Sequence, residues 1–158
     1  MKSRAPLAEI ALLHDPGHSR AERPFALILK ANGTALSIGL NRGQGSGTYD
    51  GKISVSEFQG LAQFLQKNHF EEFTPVYGSS AEGTASDFLS IVLAGKRQVT
   101  VYRHLISPQE EATRPPAALL QGVQRIQQLT RKQSWRKLSD NCQIPHEFRK
   151  LSPLSVLK

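Results

Sequence analysis

The chain has 158 residues, 39% of them hydrophobic, with 20 Lys and Arg against 13 Asp and Glu, a formal net charge of +7 and one cysteine. That length fits a single domain burying roughly 68–70% of its unfolded surface without staples, and no apolar run approaches the ~18 residues of a membrane-spanning helix. The lone Cys142 excludes an internal disulfide and permits a reducing compartment.

The charge excess lies wholly in the second part: residues 1–95 carry eight cations and nine acids, residues 96–158 twelve and four. Such an asymmetry points to an acidic partner, whether nucleic acid, anionic membrane or an acidic protein face. The opening MKSRAPLAEIALLHD has neither a continuous apolar core nor a small-residue cleavage site. The missing signal peptide favours the cytoplasm, with export open if a leader was removed.

In chain order, Ala8 to Asp15 reads as a first strand closed by the turn Asp15-Pro16-Gly17. PFALILKANGTALSIGL reads as a hairpin around Asn32-Gly33, the favoured two-residue loop. That loop sets Leu29 against Leu36, Leu27 against Ile38 and Phe25 against Leu40, all on one face, with Ala26, Lys30 and Ser37 largely opposite.

GQGSGTYDGKIS then has the look of a phosphate-binding loop, but the first glycine that G-x-x-x-x-G-K-[ST] requires falls at Ser46, and Ile53 stands where a metal-binding hydroxyl belongs. The stretch reads instead as a turn leading into a capping box, Ser54 with Glu57, stapled by Ile53 and Phe58. The helix so started runs to about His69, with Phe58, Leu61, Ala62 and Leu65 inward. A Gly/Ser/Ala loop, TPVYGSSAEGTAS, leads to a second strand pair, for which a three-residue loop at 95–97 aligns Leu93 with Val99 and Ile91 with Val101. A helix from about Pro115 to Arg131 or beyond follows, with Leu119, Leu120, Val123, Ile126 and Leu129 or Thr130 inward. Pro145 and Pro153 break the pattern of the tail.

Three further constellations look chemical and lack context. His14 and His18, with Cys142 and His146, supply zinc-ligand types without paired zinc-finger spacing. Ser134-x-x-Lys137 and Ser139-Asp140-Asn141 match two signatures of serine acyl enzymes, but as sequence neighbours and without K-T-G. Among the acids, Glu57 serves as a cap, and the adjacent pairs Glu71/Glu72 and Glu110/Glu111 point to different sides. No motif implies a metal, a cofactor or a catalytic residue.

What remains is the basic run of Arg125, Arg131, Lys132, Trp135, Arg136 and Lys137. If the helix continues, Arg125, Lys132 and Arg136 fall together at i, i+7 and i+11, and cations beside an aromatic suit phosphate contact with base stacking. They would equally suit an anionic surface, or form a solvated face beside a tryptophan that closes the core.

The segment GTYDGKISVSEFQGLAQFLQKNHFEEF resembles a family of small uncharacterised bacterial domains. There, an aromatic-x-Gly turn precedes a helix of the form F-x-x-L-x-x-x-L, and a further strand pair and helix follow. Tyr49, Gly51, Phe58, Leu61, Leu65, Phe70 and Phe73 carry the likeness, which spans roughly residues 24–133. It implies an α+β domain of unknown function, often exported or lipid-anchored, and offers no catalytic residues. This chain departs from it in having no leader and no lipobox cysteine.

Together these readings predict one α+β domain over residues 1–138, followed by an irregular tail at 139–158. Its fold is expected to be a two-layer sandwich, an antiparallel sheet with two main helices on one face, in the order β-β-β-α-β-β-α. The function expected is a non-catalytic binding domain for a protein partner, contacting it through an exposed sheet face or the Gly/Ser-rich loops. The alternatives are nucleic-acid binding through the basic run 125–137 and an enzyme whose site is assembled from loops.

Overall fold

The computed structural model describes residues 6–15, 24–41, 45–78, 85–103, 114–131 and 134–141. In chain order they form β1 (Leu7–Asp15), β2 (Phe25–Lys30), β3 (Thr34–Asn41), β4 (Gly45–Lys52) and α1 (Val55–Lys67). After a 3-10 turn (Phe70–Glu72) come β5 (Val76–Tyr77), β6 (Ser86–Leu93), β7 (Lys96–Arg103), α2 (Ala117–Arg131) and β8 (Arg136–Ser139).

The eight strands make one mixed sheet in the order β5-β7-β6-β1-β2-β3-β4-β8. β5 runs parallel to β7, and the other neighbouring pairs are antiparallel. The expected antiparallel sandwich of order β-β-β-α-β-β-α is therefore overturned. Three strands make the difference. β4 occupies the stretch expected as a turn, β5 lies in the Gly/Ser/Ala segment, and β8 stands where the last helix was extended or the tail begun.

β4 has only Thr48 and Tyr49 as strand-like residues among glycines and polar side chains. Each of its eight residues pairs with one of Thr34–Asn41, so the backbone ladder to β3 holds it rather than side-chain propensity. β8 closes its other side. The glycines serve packing: a Cβ on Gly51 would come within 3.0 Å of the Trp135 ring. β8 carries the sheet to Ser139, and of the expected tail everything beyond Asn141 lies outside the described residues.

Both hairpins depart from the expected register, the first by one residue and the second by three. In the first, Gly33 has φ +91° and its N–H bonds to the Lys30 carbonyl, so the loop has three residues, 31–33. Ile28 then faces Leu36 and Leu29 faces Ala35, and the apolar residues divide between two faces. In the second, Ala94 and Gly95 both adopt positive φ, 51° and 77°, in a two-residue loop that sets Leu93 against Lys96. Val99 and Val101 consequently oppose Ser90 and Phe88 rather than Leu93 and Ile91.

The physical reason is that the central strands are apolar on both sides. On one face Ile10, Leu12, Leu27, Leu29, Leu89 and Ile91 join the buried residues of both helices in the main core. On the other, Ala11, Leu13, Ala26, Ile28, Ile38, Phe88 and Val101 form a second buried cluster. A sheet buried on both faces has no single inward side for alternation to mark. The exposed sheet face expected as a contact surface is accordingly absent over these strands.

The helices form as their sequences dictate. Ser54 caps α1, its hydroxyl accepting the Glu57 N–H at 3.0 Å while the Glu57 carboxylate accepts the Ser54 N–H at 3.2 Å. Phe58, Leu61, Ala62 and Leu65 face inward. Ser54→Ala is expected to cost about 1 kcal/mol, read from the urea unfolding midpoint, because it leaves the Glu57 amide without its acceptor. α2 buries Leu119, Gly122, Val123, Ile126 and Thr130. Gly122 lets the helices approach closely, since a Cβ there would lie 3.2 Å from a Leu65 methyl. Among the described residues no helix is long and apolar enough to cross a membrane.

Candidate functional site

Strand directions place most connections at one end of the sheet. β1, β3, β5, β7 and β8 finish there, at Asp15, Asn41, Tyr77, Arg103 and Ser139. β2, β4 and β6 begin there, at Phe25, Gly45 and Ser86. Both Gly/Ser-rich stretches of the sequence, around 43–47 and 78–86, thus join strands at this end. So do the connections that follow β1 and β7. The opposite end is closed by the two tight hairpins and the Ser54 cap.

The same end holds the best-built polar arrangement among the described residues. Tyr77, Tyr102, Asp87, His14 and Phe25 are cross-strand partners in turn, a row running over β5, β7, β6, β1 and β2. His14 follows Ile10 and Leu12 at the two-residue period of a strand, which brings it to the helix-side face. Its Nδ1 lies 2.7 Å from the Asp87 carboxylate, with the two side chains 14% and 9% exposed. The imidazole also stacks on Phe25, with ring centroids 5.1 Å apart. An ionised Asp87 can only accept, so the proton of this bond then sits on Nδ1 and fixes the tautomer. On the reverse face Asp15 and Ser86 pair across the same strands, both almost fully buried.

An oriented imidazole on a carboxylate is the arrangement from which proton transfer is built, and the enzyme alternative has this pair in its favour. Sequence reading placed His14 among possible zinc ligands and found no partner for Asp87. The two are 73 residues apart, and no local signal joins them. Of the suggested zinc ligands, His18, Cys142 and His146 lie outside the described residues. Among the described residues no three His, Cys, Asp or Glu gather as metal ligands.

The basic run is spread over two elements. Arg125 lies within α2, its guanidinium 4.0 Å above the Phe64 ring, and Arg131 ends that helix. Lys132 is outside the described residues. The helix stops before Trp135, so the expected i, i+7, i+11 alignment with Arg136 does not form. Trp135 packs against the main core and donates from its indole N–H to the Thr130 carbonyl at 3.0 Å. Arg136, on the edge strand, grips Asp50 with two bonds of 2.8 and 3.1 Å, and Lys137 lies 2.6 Å from Asp140. Of the suggested acyl-enzyme residues, Lys137 and Ser139 lie on β8, and Lys137 is held by Asp140 just beyond it.

The Arg136 hydrogen bond, with that residue's charge, holds the Asp50 carboxyl below its ordinary 3.8, although partial burial pulls the other way. A depressed folded value stabilises above the unfolded pKa of about 4, and the contribution disappears as pH falls through the folded value. Arg136→Ala is therefore expected to raise the Asp50 pKa towards 3.8, measured by carboxyl-carbon NMR titration. An unmoved titration would mean that the pair does not persist in solution.

No protein-family model matches the chain, and no curated protein matches it either.

Proposed function

We propose that the chain is a non-catalytic binding domain for a protein partner, and that it makes contact through the end of the sheet from which its long connections leave. The observation that carries this reading is the convergence of both Gly/Ser-rich stretches on that end, beside the His14–Asp87 row. Binding residues concentrate on connections held by a rigid scaffold, and an eight-stranded sheet whose central strands are buried on both faces is such a scaffold. Nucleic-acid binding is the second reading. Arg125 and Arg131 on α2 speak for it, whereas Arg136 and Lys137 already hold carboxylates.

Two measurements separate the readings. A photo-crosslinking residue at Ser46, exposed near the connection end, should trap a partner that the same residue at Lys96, beside the second hairpin, does not. Equal trapping at both positions, or trapping at Lys96 alone, would sink the assignment of the surface. Labelled single- and double-stranded oligonucleotides should show no salt-sensitive binding between ~50 and ~200 mM salt. A steep loss of oligonucleotide affinity over that range would replace this reading with the second.

A further inference from the structure

We propose that the groove between α1 and α2 is a second docking surface, one that takes an acidic stretch of a partner protein with Arg125 as its anion contact. The groove encloses about 350 Å³ and is lined by Glu57, Gly60 and Leu61 of α1 and by Arg125, Gln128 and Leu129 of α2. Leu61 and Leu129 belong to the packed interior and give it an apolar floor. Gly60 opens one wall, since nothing lies within 4 Å of the position its Cβ would take.

Arg125 is positioned rather than loose. Its guanidinium rests on the Phe64 ring, 4.0 Å from the ring centroid, a contact that uses its flat face rather than its edge N–H groups. Among the described residues no carboxylate pairs with it, whereas Arg97 has Glu9, Arg136 has Asp50 and Lys137 has Asp140. α2 contains no Asp or Glu at all, so its outer surface is amides and cations. The one acid on the rim, Glu57, gives an oxygen to the Ser54 amide as part of the cap.

This chemistry fits a peptide better than a nucleic acid. A phosphate backbone is held by several cations in succession, and this groove has one, above an apolar floor. An acidic peptide can set an apolar side chain on Leu61 and Leu129, a carboxylate on the Arg125 fork, and its backbone against the Gln128 amide.

The test is fluorescence anisotropy of a fluorescein-labelled peptide alternating Glu and Leu, titrated with the full chain at ~50 mM salt, where exposed charges are weakly screened. Saturable binding is expected, weakened at least about tenfold by Arg125→Glu through like-charge repulsion. Gly60→Phe, which fills the groove, should weaken it as well. Both positions are exposed on helices, and unchanged circular dichroism would confirm that the variants fold. The proposal is overturned by absence of saturable binding, by indifference to Arg125→Glu, or by equal binding of a Lys-Leu peptide. Tighter binding of a labelled oligothymidylate would also overturn it, in favour of nucleic acid. Ser46 lies on the sheet and Arg125 on the helical layer, so this result and the crosslinking result can fail independently.

Discussion

Ile28→Asp is expected to remove a large part of the domain's stability margin, while Lys30→Asp, two residues further along the same face of β2, leaves it nearly unchanged. Ile28 is only 5% exposed and packs in the second apolar cluster with Ala26, Ile38 and Phe88. Replacing it removes roughly 1.5–3 kcal/mol of burial and places a carboxylate among apolar side chains, where it must protonate or drag water inwards. A loss above about 4 kcal/mol is expected, against a total of roughly 5–15 kcal/mol for an ordinary domain. Lys30 is exposed at the strand end, and its replacement should stay within about 0.5 kcal/mol. Thermal and urea unfolding of the two variants side by side decides the matter. Under the two-residue loop that Asn32-Gly33 suggested, Ile28 would share the outer face with Lys30, and both changes would be mild. An Ile28→Asp protein with near-normal stability would therefore restore the one-sided sheet.

What the sequence made legible was local, and what it hid was pairing. The capping box at Ser54 and Glu57, and the four inward residues of α1, could be read directly because a helix is specified within a few residues. The inward residues of α2 followed from the same period, except that Gly122 was missed and Leu120, expected inward, is only half-buried. The hairpins show the limit. Asn32-Gly33 serves a two-residue loop or the last two positions of a three-residue one, and only the faces decide between them. With Leu27 and Leu29 on one side and Ile28 and Ile38 on the other, alternation supports either register. Gly45–Lys52 was illegible for another reason, since its strand state rests more on β3 and β8 as neighbours than on its own residues, of which only Thr48 and Tyr49 favour a strand. The candidate sites follow the same rule. Arg125 stood out as a cation, but its seat on Phe64 joins two helices, and His14–Asp87 joins two strands. Such contacts are properties of the sheet order, which a single sequence does not print.

The second large effect tests that pairing at one backbone position. Gly39 has φ +102° and stands opposite Phe25 on β2. A Cβ there would lie 2.4 Å from the Pro24 carbonyl oxygen and 3.0 Å from the Phe25 Cα. Both are backbone atoms, so no rotamer change relieves the clash, and β2 or β3 must move. Strain at this φ contributes on the order of 1–3 kcal/mol, and the forced shift of a packed strand adds a comparable amount. Gly39→Ala is thus expected to cost about 3–4 kcal/mol in urea unfolding. Because Phe25 stacks on His14, the amide resonances of His14 and Asp87 should move as well. Gly60→Ala provides the opposite sign from the same chemical change. Gly60 is exposed inside α1 with open space around its Cβ position, so alanine there should stabilise by up to about 1 kcal/mol. In the register first suggested, Phe25 faces Leu40 and Gly39 has no such contact. A Gly39→Ala protein as stable as Gly60→Ala would therefore contradict the β2–β3 pairing, and with it the placement of Phe25 beside His14.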